Sequence, residues 1–131
     1  MPAVLPDDVR ALIDAPNIAH LGVNTAAGPH VSAVWIDRED DRILINTAEG
    51  RVKPQALRED PRVGISIVAS DDAYTNAVLQ GRVVEFRSEG AREHIDALAK
   101  KYFGRDVYGG PAGEERVILV IEVDKVAGNA T

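Results

Sequence analysis

Residues 43–54 hold the residues best suited to chemistry. An apolar strand, Ile43 to Ile45, ends in Asn46 and Thr47; a loop with Gly50 follows, then Arg51 and Lys53, then a predicted helix opening at Pro54. The first amides of a helix lack partners within it and carry partial positive charge. With an arginine that can grip two oxygens and a lysine acting as a mobile point charge, they form an anion site. Asn46 and Thr47 add short-range hydrogen bonds at the strand end. The competing reading is that Arg51 and Lys53 are solvated loop cations, since such pairs are common. One glycine without Gly-Lys-Ser/Thr also makes the motif weaker than a P-loop.

A second candidate is the segment 30–36. Alternation places Val31, Ala33 and Trp35 on one face and His30, Ser32, Val34 and Ile36 on the other. Such a strand suits a flat ligand, whereas a lone tryptophan also suits core or interface packing. Tyr74 and Asn76 lie on a polar approach to a later strand, where they face either a ligand or solvent. His20, His30 and His94 are not spaced as metal ligands, and His94 borders a helical stripe in a packing or surface position. No serine sits in a Gly-x-Ser-x-Gly turn, and the carboxylates gather at turns and helix starts. Without an acid, base or nucleophile set, any reactive centre must come from a cofactor.

The elements that position these residues fit one domain of 131 residues. A net charge of −6 with scattered cations disfavours nucleic acid and anionic membranes as partners. The absence of cysteine excludes disulfides, thiolate nucleophiles, iron–sulfur clusters and cysteine-based zinc sites, and fits a cytoplasmic location. No signal peptide or membrane-length apolar run is visible.

Periodicity predicts helices over 6–15, 54–59 and 88–103, the last with Ser88 as N-cap and Gly104 closing it. Strands are expected over 18–25, 30–36, 42–47, 63–69, 77–86 and 117–126. Residues 26–29, 37–41 and 70–72 read as turns or loops. Gly81, inside a strand, signals a bulge or a close backbone approach. Six strands with hairpin links and gap-filling helices describe a mainly β, α+β barrel or curved sheet.

The run Gly28-Pro29-His30 through Trp35, then Ile43 to Thr47, Gly50 to Lys53 and Leu57 to Val63, resembles the pyridoxamine-phosphate-oxidase-like split β-barrel proteins. Gly81 within its strand and Tyr102-Phe103-Gly104 closing the long helix fit the same pattern. The resemblance spans about residues 6–127, and it is strongest to the flavin/deazaflavin oxidoreductases of group B, many of them actinobacterial users of coenzyme F420. High Ala, Val, Arg and Asp content suits such a source.

That resemblance implies a six-stranded antiparallel split β-barrel of the FMN-binding type as a single domain over 1–131. It implies that Arg51 and Lys53 hold the cofactor phosphate, with Asn46, Thr47 and the strand Ser32, Ala33, Val34, Trp35 along the ring system. It also implies a homodimer with two interface sites, each closed by the partner, through Tyr74 and Asn76. The expected activity is hydride transfer from reduced F420 to an electron-poor acceptor such as a quinone, an enone or a tetrapyrrole like biliverdin. An FMN-dependent oxidoreductase and a non-catalytic F420-binding or storage protein are the alternatives. The C-terminal catalytic motifs of pyridoxamine phosphate oxidase itself are absent, which argues against that activity. Asp124 stands where many relatives carry proline.

Overall fold

The computed structural model describes residues 2–111 and 113–130. Helix α1, Asp7–Asp14, buries Val9, Leu12 and Ile13 along one face, and its first-turn aspartates complement the helix dipole. Ala15 is already extended, as the residue before Pro16 must be. The strands follow as β1 (Ala19–Thr25), β2 (Gly28–Val34), β3 (Asp37–Glu39) and β4 (Arg42–Ala48). After helix α2, Val52–Glu59, come β5 (Arg62–Ala69) and β6 (Asp72–Arg87). Helix α3, Ala91–Phe103, precedes the last strand, β7, Arg116–Ala127.

The sheet therefore has seven strands rather than six, in the order β2-β1-β5-β6-β7-β4-β3. The extra strand lies where a charged tip was expected. Asp37, Arg38 and Glu39 pair with Leu44, Ile43 and Arg42, and only Asp40 and Asp41 turn, with Asp40 left-handed at φ 55°. Charge hid this strand because it is an edge, where charged side chains reach water and discourage further pairing. Two other strands also reach further than the sequence pattern predicts. Residues 26–27 alone link β1 to β2, and β6 starts at Asp72 rather than Ala77. Pro29 is tolerated because β2 is the opposite edge and has an unpaired side.

Among the described residues no pairing joins β2 to β3, so the sheet does not close by hydrogen bonds. Only Trp35 and Ile36 separate these two edges in sequence. Three residue steps reach at most about 11 Å, so the sheet must curl until its edges nearly meet. The result is a split barrel with its seam at Trp35 and Ile36. Tyr102 pins that seam: its hydroxyl accepts the Ile36 N–H at 3.0 Å and donates to the Asn17 carbonyl at 2.6 Å. Lys101 Nζ donates to the Ile36 and Ile13 carbonyls at 2.7 and 2.6 Å.

The main core fills the concave side, with Leu21, Ile43, Ile45, Ile65, Ile67, Leu79, Leu119 and Ile121 nearly or fully buried beneath α1. A smaller cluster of Leu44, Ala91, Ile118 and Val120 lies on the other face, where α3 covers β4 and β7. Burial on both faces explains the unbroken apolar run of β7. Gly81 sits at a register shift, and a Cβ there would lie 2.2 Å from the Glu122 carbonyl oxygen, the close approach its sequence position predicts.

Two helix starts differ from expectation. Helix α3 begins at Ala91, capped by Gly90 at φ 75° rather than by the Ser88 side chain. Helix α2 begins at Val52 with Arg51 as N-cap, so Pro54 is its third residue rather than its first. Proline is harmless there because the amides of the first turn have no helical partner.

Candidate functional site

A cavity of about 280 Å³ opens at the barrel seam, between the end of β2, the end of β4 and the start of α2. Ala33, Val34 and Trp35 form one wall, and Asn46 and Thr47 the base of another. Arg51 and Lys53 supply charge from the α2 terminus. Ser32 points to the other side of its strand from Ala33, where its Oγ accepts from Lys53 Nζ at 3.2 Å. Seven of the eight residues assigned to the site in this chain thus line one cavity, drawn from β2, the link after it, β4 and the start of α2, while Ser32 meets it only through Lys53.

Tyr74 and Asn76 lie elsewhere. Tyr74 is 84% exposed on β6. The Asn76 amide N–H donates to Asn129 Oδ1 at 2.8 Å. Neither lines this chain's cavity.

Sequence reasoning missed Arg116, a third cation in the cavity. It is only 6% exposed and sits where β7 begins, opposite Ala48. Its Nε donates to Asn46 Oδ1 at 2.9 Å, and its guanidinium lies 5.1 Å from the Tyr108 ring centre. The available signal was a charge opening an otherwise apolar strand buried on both faces. Tyr108, Ile95 and Leu98 complete an apolar lining from α3 and the loop after it. Trp35 stacks on Tyr102 at 5.3 Å with rings 9° apart, and meets Tyr108 edge-on at 6.0 Å. It therefore packs and lines the cavity at once.

The three cations are unequally compensated. Arg51 pairs with Glu114 at 2.6 Å, and Arg116 pairs with the same carboxylate at 3.2 Å. Lys53 has no carboxylate within ion-pair distance among the described residues. Burial, with repulsion from Arg51, holds its ammonium below the ordinary lysine value. Burial likewise lowers Arg116, though a guanidinium stays charged. The Thr47 hydroxyl is buried without a partner, and no side chain caps the amides opening α2. Exposed donors, an uncompensated ammonium and an orphan hydroxyl suit a bound oxyanion. The aromatic and aliphatic walls suit a flat ring beside it.

Among the described residues no group of three His, Asp or Glu side chains could hold a metal ion. No helix among them is long and apolar enough to cross a membrane.

Comparisons with known proteins agree with this architecture. An F420 reductase structure superposes with a TM-score of 0.83 at 22% identity, covering 94% of this chain and 98% of that one. A putative pyridoxamine 5'-phosphate oxidase from Listeria innocua gives 0.72 at 16% identity, covering 95% and 98%. A FAD-binding protein from Mesorhizobium loti gives 0.65 at 16% identity, covering 93% and 92%. At such identities the likeness is one of fold. No functionally curated protein matches the chain. The profile of the pyridoxamine 5'-phosphate oxidase family, however, matches residues 5–130, nearly the whole chain, and the protein belongs to that family.

Proposed function

We propose that the protein is an oxidoreductase that binds the deazaflavin coenzyme F420 at the seam cavity, its phosphate held by Arg51, Lys53 and Arg116. The observation that carries this reading is the cavity's mixture of three cations, one without a carboxylate, with an aromatic and aliphatic wall. The likeness in fold to an F420 reductase is in keeping with a deazaflavin. When bound, the coenzyme supplies hydride to an electron-poor acceptor such as a quinone, an enone or a tetrapyrrole.

The chain's own part is placement. Lys53 and Arg51 anchor the phosphate and so set the distance from ring to acceptor. Trp35, Tyr108 and Leu98 exclude water from one side of the ring. The Thr47 hydroxyl is free to rotate toward a polar ligand atom. No group of the chain is required as an acid where solvent can protonate the product.

A cavity of about 280 Å³ falls just short of typical cofactor pockets, about 300–1,000 Å³. A second copy closing it, as a homodimer, would enclose the rest of the coenzyme; Tyr74 and Asn76 of that copy are the candidates for the contact. FMN is the second reading, favoured by the likeness to a FAD-binding protein, since the same cations accept any ribityl phosphate.

The test is a fluorescence titration with F420, with FMN as competitor, followed by turnover of the reduced coenzyme with an acceptor panel. Saturable F420 binding resistant to FMN, with turnover, is the expected result. Preference for FMN moves the protein to the flavin reading. Binding without turnover leaves a carrier or storage protein, and binding of neither refutes the cofactor site.

A further inference from the structure

Behind the cavity, Arg116, Asn46, His94 and Asp37 form one hydrogen-bonded chain running from the cavity to the exposed edge strand β3. Arg116 Nε donates to Asn46 Oδ1 at 2.9 Å. Asn46 Nδ2 donates to the Ala91 carbonyl at 2.8 Å and lies 3.1 Å from His94 Nδ1. His94 Nε2 lies 3.0 Å from Asp37 Oδ2. His94 comes from α3, Asn46 from β4 and Asp37 from β3, and the imidazole is largely buried, with 11% of its side chain exposed.

Donor and acceptor chemistry allows this chain a single arrangement. A guanidinium has only donors, so Asn46 must present its oxygen to Arg116. The Asn46 NH2 group then faces both the Ala91 carbonyl and His94 Nδ1, so Nδ1 must be an unprotonated acceptor. The ring proton is left on Nε2, which donates a hydrogen bond to the Asp37 carboxylate. Burial alone would raise the Asp37 carboxyl, but the His94 hydrogen bond and the Arg38 amide outweigh it and keep the group ionised. The charged groups around the imidazole are Asp37 itself, Lys101, which acts through Asp37, and Arg116, which acts through Asn46. A proton added at Nδ1 would point at the Asn46 NH2 group, donor against donor. Relieving that contact requires the Asn46 amide to turn over, and turning it presents an NH2 group to Arg116.

We propose that His94 is a positioning residue for the anion site: neutral and protonated on Nε2, it holds Asn46 in the orientation that seats Arg116, and protonation at Nδ1 unseats Arg116. The inference rests on Arg116 belonging to the proposed site. It makes anion binding and proton uptake by His94 mutually opposed.

Two measurements test it. The first needs no ligand: NMR of the 15N-labelled protein follows the His94 ring nitrogens and the Arg116 Nε–H signal against pH. The expected result at neutral pH is the Nε2–H tautomer with an exchange-protected Arg116 Nε–H. On acidification that protection should vanish at the same midpoint as His94 protonation. An Nδ1–H tautomer, or an Arg116 signal unmoved while His94 titrates, overturns the proposal.

The second measurement titrates sulfate, whose charge is constant over the range, and follows the fluorescence of Trp35, the single tryptophan, which lines the same cavity. Sulfate affinity should fall roughly ten- to a hundredfold as His94 protonates, the ratio set by one charge-assisted hydrogen bond. His94→Gln keeps one acceptor and one donor but cannot take up a proton, so its affinity should not vary across that range. Asn46→Asp accepts from Arg116 and from a protonated His94 together, so it too should flatten the profile. A profile equally steep in both variants refutes the coupling. Sulfate binding at no pH sinks the anion site itself, and the ligand-free spectra still decide the His94 network.

Discussion

Lys53→Met removes the cation that the protein compensates least. Lys53 Nζ has the Ser32 hydroxyl at 3.2 Å and no carboxylate, while Arg51 and Arg116 share Glu114. A ligand phosphate would supply the missing counter-charge, and a hydrogen bond to a charged group contributes about 1.5–3 kcal/mol. The substitution should therefore weaken F420 or FMN binding roughly ten- to a hundredfold. Stability should move the other way. Burial holds the ammonium below its ordinary value of 10.5 in the folded chain, so the fold carries a penalty for the charge at neutral pH. That penalty fades as pH rises through the lowered folded value and is gone above the unfolded one. The methionine variant should thus melt above wild type at pH 7, and the gap should close toward alkaline pH. Wild-type affinity should itself decline at alkaline pH, beginning below 10.5, as Lys53 loses its proton. Calorimetric melts and fluorescence titrations on the same samples read both effects. Loss of stability together with binding would make Lys53 a structural residue, and unchanged affinity would refute the anion site.

Glu114→Gln frees Arg51 and Arg116 from their shared carboxylate, so anion affinity measured by the same titration should rise severalfold. Arg51→Ala should cost less affinity than Lys53→Met, because an incoming phosphate must first displace Glu114 from Arg51. Gly81→Ala forces a Cβ to within 2.2 Å of the Glu122 carbonyl oxygen and should destabilise the protein by about 1–3 kcal/mol in urea unfolding. Tyr102→Phe leaves the Ile36 N–H and the Asn17 carbonyl without their partner, at a cost of about 1–3 kcal/mol. By loosening the seam, it should also reduce protection of the Ile36 amide in hydrogen exchange.

Local signals in the sequence were sufficient for much of the architecture. Alternating Val63, Ile65 and Ile67 are all buried in β5, as period-two patterning requires. The stripe Val9, Leu12 and Ile13 is the buried face of α1. The Gly50-to-Pro54 segment does open a helix with two cations at its start, because loop and helix start are local events. Where non-local pairing sets an element's boundary, no local pattern marks it. Asp37 to Glu39 lack any apolar pattern and become a strand through the ladder β4 offers. Helix α3 starts at Ala91, where packing against Leu44 and Ile118 begins, rather than at the polar Ser88.

The composition of the anion-binding segment was therefore determined by the sequence itself: strand end, glycine loop, Arg51 and Lys53 within a few residues. The rest of the site was decided only by tertiary structure. Arg116 follows Asn46 by 70 residues, and His94 follows Asp37 by 57. No periodicity links such pairs, because they meet only once β7 has docked beside β4 and α3 has covered both. Curling of the sheet, imposed by the short Trp35-Ile36 link between its two edges, then places Asn46 and Arg116 beside the cations of α2.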